Sequence, residues 1–139
     1  MLCQDIMKRG VHCANENTTV LEAAALMRDE RIGFLPVCND DRDVIGVLTD
    51  RDIAIRVVAA GEPTDQPVEQ FMTRNIVACS SGEDLQAVQE LMGEMQVSRI
   101  ICLDNNGRLE GVISLSDVAQ TGDTAGATLR SVSRREARV

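Results

Sequence analysis

The sequence predicts an α/β fold of the α+β kind, in which one unit, strand–helix–strand–strand–helix, is made twice. Three observations predict it. Residues 27–54, MRDERIGFLPVCNDDRDVIGVLTDRDIA, lie without a gap over residues 92–119, MGEMQVSRIICLDNNGRLEGVISLSDVA, so the chain repeats itself at an offset of 65 positions. Within each copy, two apolar runs of strand length flank a polar turn. Ahead of each pair stands a capping signal followed by apolar residues at helical spacing.

Each element has its own justification. The short apolar pieces at 11–13 and 76–79 predict the opening strands. Thr19 and Glu22 have capping-box spacing ahead of VLEAAALM, and Ser80 and Glu83 have it ahead of Leu85, Val88, Leu91, Met92 and Met95. Both signals predict amphipathic helices. FLPVC and RIICL predict the second strands, NDDRD (39–43) and DNNG (104–107) the turns, and VIGVLT and LEGVIS the return strands. The helix starting near Asp52, DIAIRVVAAG, carries Ile53, Ala54, Ile55, Val57, Val58 and Ala59 around more than one stripe before Gly61 stops it. A helix apolar on two sides packs against its own sheet and against something else, the other repeat or a second chain. EPTDQP (62–67) reads as the linker. The expected divisions are therefore 1–61, 62–122 and a mobile basic tail, 123–139.

Composition narrows the function. The 139 residues are 44% hydrophobic and 26% charged, as in ordinary globular chains. A net charge of -8, with two Phe and no Trp or Tyr, leaves neither a basic surface nor stacking platforms, which excludes nucleic acid as the expected partner. No apolar stretch approaches the ~18 residues of a membrane span, so a cytoplasmic, non-membrane protein is expected. Five Cys with no C-x-x-C and a single His12 suggest neither a disulfide framework nor a zinc knuckle, and no metal is expected. Cys13 and Cys38 end the first two strands of copy one, with His12 beside Cys13. They form the candidate redox or metal pair, although strand alternation points His12 and Cys13 to opposite faces, and buried reduced thiols are the plainer expectation. With no P-loop, no G-x-S-x-G and no base aimed at a nucleophile, the chain is not expected to be an enzyme.

The segment GVLTDRDIAIR (46–56) stands where the first return strand ends. Thr49 followed by Asp52 has the spacing of a helix N-cap, and Ser114 followed by Asp117 repeats it. The same groups suit a nucleotide: free N–H groups at a helix start favour an anion, a carboxylate accepts vicinal ribose hydroxyls, and Arg56 shares a face with Thr49 and Asp52. Arg51 and Arg56 have only Ser116 and Thr121 as counterparts in copy two, which favours the first motif as a phosphate site.

The two copies, each closing on a glycine, an apolar pair, a hydroxyl and an Asp three residues later (GVLTDRD, GVISLSD), resemble a tandem pair of CBS domains, the Bateman module, over about residues 3–121. TDRDIA and the small size are similar to the stand-alone bacterial CBS-pair proteins. The resemblance implies two repeats packed sheet to sheet with pseudo-two-fold symmetry, and homodimers formed through CBS helices. It implies a non-catalytic sensor that binds an adenine nucleotide, AMP or ATP above all, and signals to an effector protein. Thr49 and Asp52 would serve one cleft, and Ser114 and Asp117 the other. Arg51 and Arg56, helped by Lys8, Arg9 or Arg74 from the segments that open the repeats, would meet phosphate, with Thr19, Gly33, Leu35, Pro36, Arg99 and Ile101 framing the base. The competing reading is a ligand-free stress or redox-responsive dimer acting through its cysteines.

Overall fold

The computed structural model describes residues 1–121 and Val132; the expected tail, 123–139, otherwise lies outside the described residues. Two three-stranded sheets are present, in the orders β1-β2-β3 and β4-β5-β6. The chain forms β1 (Ala14–Asn15), α1 (Val20–Glu30), β2 (Phe34–Cys38) and β3 (Val44–Thr49), then a short α2 (Asp50–Asp52) continued by a π-helix (Ile53–Val58). The second copy gives β4 (Ala78–Ser80), α3 (Leu85–Met95), β5 (Arg99–Leu103), β6 (Leu109–Ser114) and α4 (Leu115–Ala119). In each sheet the first strand runs parallel to the second, and the second pairs antiparallel with the third.

The hairpin strands have the residues that their apolar runs predict, because five or six apolar positions between polar turns leave little choice of boundary. Arg42 and Gly107 occupy the same left-handed turn position, φ 66 and φ 77, which Gly adopts without steric cost. The opening strands lie one to three residues later than predicted, since pairing with Val37 and Cys38, or with Ile101 to Leu103, fixes their place rather than their hydrophobicity. Thr19 caps α1, accepting from the Glu22 N–H at 3.1 Å. Ser80 does not cap α3. It ends β4, and Asp84 is the N-cap, accepting from Gln86 N–H at 3.0 Å.

Contacts divide the chain differently from its linear repeats. One compact unit is His12–Ile76; the other joins Met1–Val11 to the chain from Val77 onward. We call these the first and second units. Each sheet gains an edge partner from the segment preceding the other copy. In the first unit the Val47 N–H donates to Thr73 O (2.9 Å) and the Thr73 N–H to Val47 O (2.8 Å). In the second, Lys8 N–H donates to Val112 O (3.0 Å) and Val112 N–H to Lys8 O (3.1 Å). The offset is again 65, so the two edge contacts are equivalent.

Each unit has its own core. Val20, Ala23 and Met27 of α1 meet Leu35, Val37, Leu48, Val57, Val68, Phe71 and Met72 in the first. Cys3, Met7, Cys79, Leu85, Val88, Met92, Ile100, Cys102, Ile113 and Val118 fill the second. Glycine makes the edge approach possible: a Cβ on Gly111 would lie 2.7 Å from Lys8 O, and one on Gly46 would lie 3.0 Å from Thr73 O. A backbone carbonyl held in a ladder cannot swing aside. Gly111→Ala is therefore expected to lower unfolding free energy by about 1–3 kcal/mol, measured by urea denaturation; an unchanged midpoint would show that the edge segment shifts freely.

Candidate functional site

The two strand-to-helix corners are built alike. Thr49 N–H donates to Asp52 Oδ2 (2.9 Å) while Asp52 N–H donates to Thr49 Oγ1 (3.1 Å). Ser114 N–H donates to Asp117 Oδ2 (2.9 Å) while Asp117 N–H donates to Ser114 Oγ (3.2 Å). Both corners are reciprocal capping boxes, and Asp closes them as Glu does elsewhere. Each Asp thus commits Oδ2 to the corner and turns Oδ1 to a cation. Asp52 Oδ1 lies 3.8 Å from Arg56 Nε, and Asp117 Oδ1 lies 3.8 Å from Lys8 Nζ. The two carboxylate side chains are only 14% and 13% exposed, so their hydrogen bonds face little competition from water.

The first corner carries charge that the second lacks. Asp50 N–H donates to Gly33 O (3.0 Å), and the Asp50 carboxylate hangs over Gly33, where a Cβ would meet Oδ2 at 2.7 Å. At the matching place Leu115 N–H donates to Ser98 O (2.8 Å). Asp50 is a site residue that the sequence comparison passed over; its signal was Gly33 opposite Ser98 paired with Asp50 opposite Leu115. Four charged residues, Asp50, Arg51, Asp52 and Arg56, therefore balance at the first corner. Its cations do not dominate it.

The structure sorts the remaining candidates. Thr19, Gly33, Leu35, Pro36, Thr49, Arg51, Asp52 and Arg56 belong to the first unit; Arg99, Ile101, Ser114 and Asp117 belong to the second. Leu35 and Ile101 are buried in strands opposite Leu48 and Val112, so their side chains serve the cores. Thr19 is engaged as a cap and donates to Glu22 Oε1 (3.0 Å). Arg56 Nη1 donates to Phe71 O (2.8 Å), a bond not foreseen for a phosphate ligand. Lys8 faces the second corner, Arg9 pairs with Glu110 (2.9 Å) and Arg74 with Glu69 (3.5 Å). The helix after Thr49 also differs from expectation. Only three residues are α-helical before the chain widens into a π-helix, with Ala59 N–H bonding Ala54 O and Glu62 N–H bonding Val57 O.

The five thiols fall in both units. Cys13 neighbours Cys38, and burial, followed by that neighbouring thiol, pushes the Cys38 thiol up to about 12. Burial, followed by Cys79, pushes Cys3 up to about 12. Cys79 Sγ lies 3.7 Å from Cys102 Sγ, and that hydrogen bond, together with burial, raises Cys79 as well. His12 Nε2 faces Glu30 Oε2 at 3.3 Å.

Comparison with known proteins places the chain. The family model for the CBS domain matches residues 3–59 and 68–121. The chain belongs to the CBS domain family. As a CBS pair it is a regulatory module. It is 36% identical over 118 residues to hypoxic response protein 1 of Mycobacterium tuberculosis, covering 84% of this chain and 82% of that protein. It superimposes with a TM-score of 0.79, at 33% identity, on a crystal structure of hypoxic response protein I with two coordinated zinc ions, covering 88% of this chain and all of that one. The CBS domain pair of protein MJ0100, in complex with 5′-methylthioadenosine and S-adenosyl-L-methionine, matches with a TM-score of 0.76 at 25% identity, over 86% of this chain and 94% of that one.

Two of these findings correct the ligand expectation. The preference for AMP or ATP does not stand, because the adenosine ligands of the MJ0100 pair are a thioether nucleoside and a sulfonium. Nor does the expectation that metal plays no part, because zinc is coordinated in a structure this similar. The single His and the scattered thiol positions, on which that expectation rested, are weak guides when ligands come from different parts of a fold. Among the described residues, no three His, Cys, Asp or Glu side chains gather into a group that holds an ion, so zinc has no assigned ligand set here. Among the same residues, no helix is long and apolar enough to cross a membrane.

The raised thiols give a pH dependence with a definite sign. Cys3 and Cys38 stay neutral in the fold up to about 12 but ionise from the ordinary value of 9.0 once unfolded. Their contribution is therefore complete below about pH 9 and is lost as pH climbs towards 12. Urea midpoints measured from neutral pH upward should fall beyond pH 9, and a Cys3→Ala/Cys38→Ala variant should show a shallower fall.

Proposed function

We propose that this CBS pair is a non-catalytic regulator that binds an adenosine-bearing small molecule at the Thr49–Asp52 corner and passes the change to a second protein. The observation that carries this reading is the division of labour on Asp52: Oδ2 holds the corner while Oδ1, in a side chain only 14% exposed, remains turned outward toward Arg56. A carboxylate so placed accepts the vicinal hydroxyls of a ribose. The corner of Ser114 and Asp117, with Arg99 and Ile101 on the adjoining strand, is the second site of the same kind. Backbone at 33–36, over which Asp50 lies, would border the base in the first.

Signal transfer requires that the ligand favour one arrangement of the module over another. A second copy of the chain is the expected partner of the exposed apolar face formed by Ile55 and Val58, which are 55% and 69% exposed beside the buried Val57.

Calorimetry with 5′-methylthioadenosine and S-adenosylmethionine tests the site. Asp52→Asn keeps an oxygen for the Thr49 N–H but removes the charge, so affinity should fall by about tenfold or more while the melting temperature changes little. A large melting shift with unchanged affinity would make Asp52 a cap alone, and no heat with either compound would remove the adenosine reading.

A second reading rests on the partly exposed Cys13 beside the buried Cys38. Partly exposed Cys13 would attack a peroxide, releasing water and leaving a sulfenic acid; Cys38 would then displace the second water to give a disulfide. Mass-mapped thiol counts should drop from five to three after peroxide, with the loss at Cys13 and Cys38. Five thiols surviving treatment would discard it.

A further inference from the structure

Arg56 stands where the sequence suggested a phosphate contact, yet its guanidinium is already engaged within the first unit. Nη1 donates to the carbonyl of Phe71 at 2.8 Å, and Nε lies 3.8 Å from Asp52 Oδ1. Phe71 is two residues from Thr73, which pairs with Val47 through both backbone hydrogen bonds. Val47 belongs to β3, whose last residue, Thr49, holds Asp52. The contacts form a closed circuit: β3, the corner carboxylate, the arginine, the edge segment, and β3 again.

The second unit closes its circuit without a counterpart to Arg56: Lys8, whose backbone pairs with Val112, is itself the cation beside Asp117. The position equivalent to Arg56 is Thr121, whose hydroxyl donates back to Val118 O (2.7 Å) in its own turn. The cation at Asp117 is Lys8, with a side chain 74% exposed and held by charge alone at 3.8 Å. Among the described residues the π-helix is found in the first unit alone, where it spans Ile53–Val58 and carries Arg56.

We propose that Arg56 is a positioning residue that ties the ligand-facing oxygen of Asp52 to the carbonyl of Phe71, making the edge segment at 68–73 respond to occupancy of the first corner. The ligand half of this statement rests on the adenosine reading above; the tie itself does not. The Arg56–Asp52 contact is an ion pair too long for a hydrogen bond. A ribose hydroxyl donating to Oδ1 fixes the carboxylate in one orientation, which restricts the guanidinium beside it and steadies the carbonyl at its other end. The chain passes from this segment into the second unit at Val77, so the segment that responds is the covalent exit from the first unit. Under this assignment one guanidinium nitrogen is committed to Phe71 O, and the charge at the corner is balanced by Asp50 and Asp52.

Site-resolved hydrogen exchange on the full chain tests the tie without any ligand. Arg56→Gln should speed exchange of the Val47 and Thr73 amides about tenfold, leave the interior of α1 and the matching Lys8 and Val112 amides unchanged, and be partly rescued by Arg56→Lys. Unchanged exchange at Val47 and Thr73, or equal acceleration throughout α1, would overturn it. With S-adenosylmethionine added, the wild-type Val47 and Thr73 amides should be protected and those of Arg56→Gln should not. Affinities for 5′-methylthioadenosine and for AMP, used as its phosphate-bearing comparator, should fall by the same factor in Arg56→Gln; loss confined to AMP would make Arg56 a phosphate contact instead. If the wild type binds neither compound, the adenosine reading fails, and the exchange rates without ligand still decide whether Arg56 holds the segment.

Discussion

A pair of backbone hydrogen bonds across a glycine governs this molecule. At Gly46 and again at Gly111 a missing side chain lets a distant segment lie against the outer strand of a sheet, and the neighbouring residues, Val47 with Thr73 and Val112 with Lys8, close the ladder. Met72 and Met7 then drop over the glycines into the two cores. Without that contact the outer strands would present unpaired polar groups along an edge, and each core would lose the segment that completes it. The position of the corners follows, since β3 and β6 end only two or three residues beyond the pairing.

The corners show how a structural device and a binding device occupy the same atoms. The hydroxyl and one carboxylate oxygen satisfy backbone N–H groups that would otherwise be orphaned where a strand turns into a helix. The remaining oxygen is free of that duty and faces a cation. Identical geometry at Asp52 and Asp117 is then given different neighbours: a guanidinium anchored at both ends in one, a flexible ammonium in the other. Difference between the copies lies in the second layer of contacts.

The strands and the corners were legible because their causes are local. FLPVC, VIGVLT, RIICL and LEGVIS are apolar runs between turns, and Thr49–Asp52 and Ser114–Asp117 close over three residues. What escaped reading depended on partners far along the chain. Arg56 meets Phe71 fifteen residues away, and Lys8 meets Asp117 across most of the sequence. Ser80 had the spacing of a cap, but Asp84, adjacent to the first inward-facing leucine, outcompeted it. Cys3, Cys79 and Cys102 share a core that only the folded chain assembles. Metal chemistry was misjudged for a related reason, since ligand sets drawn from separate segments leave no spacing to recognise.

The placement of Met1–Val11 has a consequence for how the chain is made. The first unit is one uninterrupted stretch, complete once residue 76 has been synthesised, and its edge contact spans fewer than thirty positions from Val47 to Thr73. The second unit needs two distant stretches: residues 1–11 are made before the first unit and wait about a hundred residues for β6 to appear beside them. Loop closure over that distance costs little more than over a shorter one, but it cannot begin until β6 has been made. Until then Cys3 and Met7, which end up buried, stay in water beside a finished neighbour. The two halves, near copies in sequence, are thereby born in a fixed order, with the half that carries the anchored arginine complete before the other has its core.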